Sequence, residues 1–199
     1  MLSTMETKED RIVTAAFELF FRHGYRKVSM SDIALASDMS RPSLYAAFAN
    51  KEAIFAELVR RQCARNLEET HARLHRISGL QARLACVFAI WLIEPVATVI
   101  DSENATEMLA DCAQFAPQAV AQLYTQLELQ LIQVLQPEVP DTAALTASEM
   151  ARILRLASTG LKTSTESLLD LQRMVEGLVI MAIATVQATR LQPMSKNTD

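Results

Sequence analysis

A chain of 199 residues, half of them hydrophobic and with a formal charge of −4, is long enough for one good core or for a small domain joined to a larger one. With only 4 Gly and 6 Pro and no Val/Ile runs at period two, the composition argues against a sheet and predicts an all-α fold, because Ala, Leu, Gln, Glu and Arg lose little rotamer freedom in helices. Polar residues at 1–11 argue against a secretory signal, and the apolar uncharged runs Leu84–Ile93 and Gly177–Thr189 fall short of the ~20 apolar residues of a membrane span.

The first predicted helix runs from Thr7 to Arg22. Thr7 and Asp10 have capping-box spacing, Ile12, Ala15, Ala16, Leu19 and Phe20 form one apolar stripe, and Gly24 stops the helix. Ser29, with Asp32 three residues on, caps a short second helix whose buried face is Ile33, Ala34 and Ala36. Ser37-Asp38-Met39 is a tight turn. Ser40 caps a third helix with Pro42 in its first turn, where a missing N–H costs nothing. Asn50 caps a long fourth helix from Lys51 to about His75. Two short helices joined by such a turn make a helix-turn-helix.

Beyond Ser78-Gly79, Leu80 to about Val99 is strongly apolar, and Pro95 should kink or end that helix. Ser102 to Gln114 and Ala116 to Gln136 are the next two predicted helices, followed by a loop at Pro137–Thr142. Thr146 with Glu149, and Thr163 with Glu166, are capping boxes for two further helices, running to about Leu161 and to Leu191, ahead of a frayed tail. The expected domains are 1–50, a helix-turn-helix; 51–192, a larger helical part; and 193–199, a disordered tail.

Charge divides the chain in the same sense. Residues 1–65 hold 10 Lys/Arg against 8 Asp/Glu, net +2, and residues 66–199 hold 9 against 15, net −6. The basic surplus falls where chemistry suited to DNA is concentrated. A recognition helix needs small residues for close approach, and Ser40, Ser43, Ala46 and Ala47 supply them. It needs a base reader, and Arg41 can bond guanine; Pro42 offers an apolar contact to a thymine methyl. Phosphates need donors, available as the Tyr45 hydroxyl, the Lys51 ammonium, and the Ser29 and Ser31 hydroxyls. A near-palindromic site on double-stranded DNA would be read by two heads, ~34–36 Å apart or somewhat wider.

From Arg11 to Val59 the sequence resembles the DNA-binding domain of the TetR-type bacterial transcriptional repressors. Phe20, Gly24, Tyr25, Ser29, Ile33, Ala34, Ser40, Leu44, Tyr45, Phe48, Lys51 and Phe55 stand in the family's order and spacing. One departure is Asp38, where the turn usually carries glycine; Asp tolerates the left-handed region better than most residues. The resemblance implies that the rest of the chain is an all-α ligand-sensing and dimerisation domain.

Within that region, Phe88, Trp91, Met108, Cys112, Phe115, Tyr124 and Leu127, with Leu92, Leu109 and Leu123 beside them, are candidate walls for a small hydrophobic effector. The candidate dimer interface is Leu154 and Leu161 on one helix and Leu168, Leu171, Met174, Val175, Leu178, Val179 and Ala182 on the next. The last helix is apolar over more than one face, which suits a four-helix bundle with its copy. Glu68, His71 and His75 share a helix face, but a metal site there is not expected. Cys63 lies among Arg60, Arg61 and Arg65, which would favour its thiolate.

No Ser-His-Asp order, Gly-rich phosphate loop or metal set supports an enzyme, and no cofactor is expected. The sequence therefore reads as a cytoplasmic, homodimeric repressor released by a small hydrophobic molecule. The alternative is a DNA-binding regulator controlled by a protein partner or by cysteine oxidation.

Overall fold

The computed structural model describes residues 7–100, 102, 104–140 and 143–191; of residues 105–107, 110, 190 and 191 it describes the backbone alone. The expected tail at 193–199 and the end of the Pro137–Thr142 loop lie outside the described residues. The described chain is all-helical, and contacts divide it into two compact units. One holds Met1–Arg65 with Thr98–Leu123, and the other holds Asn66–Ala97 with Tyr124–Asp199.

In the first unit, α1 (Lys8–His23) starts at the predicted Thr7–Asp10 capping box and ends at Gly24, whose φ of 85° favours glycine. α2 (Met30–Ala36) starts at the Ser29–Asp32 box, and α3 (Arg41–Ala47) starts at Ser40. Between them, Ser37 to Met39 close a Schellman turn: the Met39 N–H donates to the Ala34 carbonyl (2.9 Å) and the Asp38 N–H to the Leu35 carbonyl (3.2 Å). Asp38 takes the left-handed position of that motif, with φ 54°. α4 (Lys51–Leu74) is capped by Asn50, whose side-chain oxygen accepts from the Ala53 N–H. The core of this unit gathers Ile12, Ala16 and Phe20 of α1, Ile33 of α2, Leu44 of α3, and Ile54 and Phe55 of α4.

The second unit contains the end of α4, then α5 (Leu80–Phe88), a π-helical turn (Ala89–Ile93) and the short α6 (Glu94–Ala97). The expected kink takes the form of that π turn, immediately ahead of Pro95, and the Glu94 N–H reaches back five residues to the Ala89 carbonyl. The stretch Leu80–Ala97 is apolar enough over 18 residues to match a membrane span by length and composition alone. Leu84, Val87, Phe88, Ile90, Trp91 and Leu92, however, are buried within the chain. α7 (Ala105–Phe115) and the start of α8 (Pro117–Leu135) belong to the first unit.

α9 (Ala147–Ser164) begins at the predicted Thr146–Glu149 box but runs past Leu161. The second predicted box in this region is absent. Thr163 lies inside α9 and donates to the Gly160 carbonyl; α10 (Leu168–Leu191) is instead capped by Ser167, which accepts from the Asp170 N–H. The two pairs have the same spacing, so the local pattern alone did not choose between them.

The Asp38 geometry gives a direct stability test. Asp38→Gly should raise the urea midpoint, by up to about 1 kcal/mol of stability, because glycine adopts positive φ without the steric cost of a Cβ. A β-branched residue there should lower it.

Candidate nucleic-acid interface

The helix-turn-helix is oriented by α3's own pattern. Leu44 and Phe48 are buried and anchor it to the core, while Arg41, Pro42, Ser43, Tyr45 and Ala46 are exposed. Tyr45 is 52% exposed although it is a large aromatic. Neither the Arg41 guanidinium nor the Tyr45 hydroxyl has a hydrogen-bond partner among the described residues, so both are available to a ligand.

The serines divide into two kinds. The Ser29 hydroxyl donates to the Asp32 carboxylate (2.7 Å) and accepts from the Asp32 N–H (3.2 Å). Its proton is therefore committed to the cap, and this holds the Asp32 carboxyl below its ordinary range. The Ser40 and Ser43 hydroxyls share one hydrogen bond (2.9 Å) while Ser40 accepts from the Ser43 N–H (3.3 Å), which leaves one hydroxyl proton between them. Ser31 is half-buried and makes no such bond.

Lys51 has a role that sequence reasoning missed. Its Nζ donates to the carbonyls of Tyr25 (2.7 Å) and Val28 (2.9 Å) and sits 4.3 Å above the Tyr25 ring. Burial pulls its ammonium below the ordinary lysine value. Two of its three N–H groups thus tie the start of α4 to the loop entering α2, and the third lies outside those two bonds. Tyr25 stacks on Phe115 (3.9 Å between centroids, 17° between planes) with Phe55 edge-on to both rings.

That stack bears on the candidate effector pocket. Met108 and Phe115 belong to the first unit's core, with Cys112 packed against it, whereas Phe88, Trp91, Tyr124 and Leu127 belong to the second unit. α7 is further tied to α1 by the Asn104 amide, which donates to the Phe21 (3.1 Å) and Arg22 (2.9 Å) carbonyls, and by an Arg26–Asp111 ion pair at 3.2 Å. In the second unit, Trp91 lies in the π turn and its indole N–H donates to the buried Thr70 hydroxyl (2.8 Å). A cleft of about 640 Å³ in that unit is lined by Ser78, Leu80, Gln81, Glu138, Ile183 and Gln187 among others, and by none of the candidate wall residues.

The candidate dimer residues are also redistributed. Leu154, Leu171, Val175, Val179 and Ala182 are buried inside one chain, so they have little surface to offer a second copy. Leu161, Leu168 and Leu178 are half-buried, and Met174 is exposed. An apolar stripe that stays exposed or half-exposed lies about a third of a turn away: Ile153, Leu156 and Gly160 on α9, and Met174, Gly177, Leu178 and Met181 on α10. A Cβ at Gly160 or Gly177 would meet nothing within 4 Å, so neither glycine is needed for packing within the chain.

One further expectation changes. The arginines around Cys63 are paired elsewhere: Arg60 with Glu57, Arg61 with Glu57 and Asp10, and Arg65 with Gln62. Burial then pushes the Cys63 thiol up rather than down. The His75 ring nitrogen turns to the His71 carbonyl, and among the described residues no three His, Cys, Asp or Glu side chains form a group that could hold a metal.

Residues 12–58 match the family described as bacterial regulatory proteins, tetR family. Over 109 residues the chain is 30% identical to the HTH-type transcriptional repressor ComR of Escherichia coli strain K12. That match takes in 54% of this chain and 51% of ComR, so the chain spans about half the length of its curated relative. The fold is shared with the fatty acid degradation regulator FadR of Bacillus halodurans, with a TM-score of 0.68 at 17% identity over 86% of this chain and 94% of that one. It is shared too with Thermus thermophilus FadR, a TetR-family repressor solved in complex with lauroyl-CoA. There the TM-score is 0.61 at 16% identity, over 96% of this chain and 99% of that one.

Two predictions follow from the cap and the lysine. Lys51→Met should lower stability by about 1–2 kcal/mol in urea even without DNA, since two hydrogen bonds from a charged donor are lost. Asp32→Ala should lower the urea midpoint at pH 7. Because the folded Asp32 carboxyl lies below its unfolded value, the stability it confers is complete above about pH 4 and is lost as pH falls through the folded value. The gap between parent and variant should therefore narrow in acid.

Proposed function

We propose that the chain is a TetR-type bacterial transcriptional regulator, on the strength of the match at residues 12–58 and the 30% identity to ComR, and that it binds a near-palindromic operator as a homodimer and is released by a small apolar molecule. The observation that carries the reading is the outer face of α3. There Arg41 and Tyr45 stand exposed and unpartnered on a helix whose other side is locked into the core. Free donors on a rigid element are what base and phosphate contacts require. In this reading Arg41 reads a base edge, while Ser31, Tyr45 and the third Lys51 N–H meet phosphates. Ser29 and the Ser40–Ser43 pair hold the two helix starts in place.

Dimerisation is proposed through the open stripe on α9 and α10. Ile153, Leu156, Met174 and Met181 of that stripe are exposed in a single chain, and a Cβ at either of its two glycines would meet nothing within 4 Å, which suits the close approach of a second helix pair. A palindromic site in turn needs two reading heads. The proposed division of labour is residues 1–50 for reading DNA and 51–192 for sensing and pairing.

For the effector, support comes from the second unit. Phe88, Trp91 and Leu127 are apolar and buried there, and a π turn carries Trp91. The related fold of Thermus thermophilus FadR holds lauroyl-CoA. The effector must bind the DNA-incompetent state more tightly, or it shifts nothing.

Selection of bound DNA from a random pool, with and without cell extract, tests the whole reading. A palindromic consensus lost on adding extract is the expected result, and recovery of no sequence would overturn it. Arg41→Ala should relax preference at one base position in each half-site, a loss of about 1–3 kcal/mol of discrimination. Met181→Asp should give monomers in sedimentation; an intact dimer would remove the α10 stripe from the interface.

A further inference from the structure

The outward side of α3 is more apolar than the residues flanking it. Leu44, fully buried, sets the inward direction of this helix, and its other residues follow at about 100° each. Pro42 and Ala46, one turn apart, then project to the opposite side, and both are exposed. Arg41 and Tyr45 flank them on one edge. Ser43 flanks them on the other, with its hydroxyl drawn to Ser40 at 2.9 Å. The centre of the face is therefore a ridge formed by a pyrrolidine ring and a methyl group, with no donor or acceptor of its own.

We propose that the Pro42–Ala46 ridge reads thymine by its C5-methyl group, so that each half-site has an A·T core beside the base pair read by Arg41. The proposal rests on the operator-binding reading above and specifies what that site recognises. Of the four bases, only thymine offers an apolar group in the major groove; adenine, guanine and cytosine present N6, N7, O6 or N4 there. Pressing one of those polar groups against the ridge would strip its water and return no hydrogen bond, which disfavours it. A methyl against Pro42 or Ala46 instead removes apolar surface from water on both sides.

The experiment uses the full chain and the operator it selects. Each thymine is replaced singly by uracil, which keeps base pairing and every hydrogen-bonding group and removes only the methyl. One or two positions per half-site should lose about fourfold in affinity each, the worth of one buried methyl, with an unchanged salt dependence. The same uracil substitutions should cost nothing further in Pro42→Gly or Ala46→Gly at the position each residue covers. Sequence-specific binding that is indifferent to uracil at every position overturns the methyl reading and leaves the operator reading intact. Failure to bind any DNA specifically overturns both.

Discussion

The Lys51 ammonium is held between the carbonyl oxygens of Tyr25 and Val28, over the face of the Tyr25 ring. Val28 immediately precedes the Ser29 cap of α2, so this contact refers the start of α2 to the first residue of α4. The Schellman turn through Asp38 then refers α3 to α2. The direction of α3, and hence which of its side chains stand clear of the core, follows from that sequence of constraints. Tyr25 completes it: the ring under the ammonium also stacks on Phe115. The loop between α1 and α2 is thus fixed by α4 on one side and by α7 on the other, within a single unit.

Capping and recognition compete for the same side chains in this domain. A serine at a helix start satisfies otherwise orphaned N–H groups, but a hydroxyl proton given to a carboxylate cannot also go to a phosphate. Ser29 has given its proton to the cap, Ser31 and Tyr45 have no side-chain hydrogen bond among the described residues, and Ser40 and Ser43 share one bond. Lys51 divides in the same way, with two N–H groups inward and one remaining. The small basic surplus of the first 65 residues is consistent with few phosphate contacts per chain, which a dimer would double.

What could be read along the chain was mostly local. Capping boxes at Thr7, Ser29 and Thr146 involve residues three apart, and all three form as predicted. The Thr163–Glu166 pair has the same spacing and fails, because α9 continues through it and Ser167 takes the capping role. The stripe on α10 shows the same limit. Leu171, Val175, Val179, Ala182, Met174, Leu178 and Met181 are all apolar at helical spacing, and periodicity does not say which set turns inward. Burial puts Leu171, Val175, Val179 and Ala182 inside and leaves Met174 and Met181 exposed. Cys63 likewise has three arginines close by in sequence, but Arg60 and Arg61 are neutralised by Glu57 one turn away on the same helix, and Arg61 also by Asp10, which sequence distance hides.

The sequence by itself determined the all-helical class and the helix starts at Thr7, Ser29, Ser40, Asn50 and Thr146, because helix propensity, capping and turn chemistry act over a few residues. Only the tertiary structure decided that Lys51 fastens a loop, that Phe115 and Met108 serve the first unit's core rather than a pocket, and which stripe of α9 and α10 stays open. Each of those depends on what a side chain meets from a distant part of the chain. A lysine with two carbonyls in reach, or a phenylalanine with a tyrosine ring 3.9 Å away, takes its role from that neighbour and not from its own chemistry.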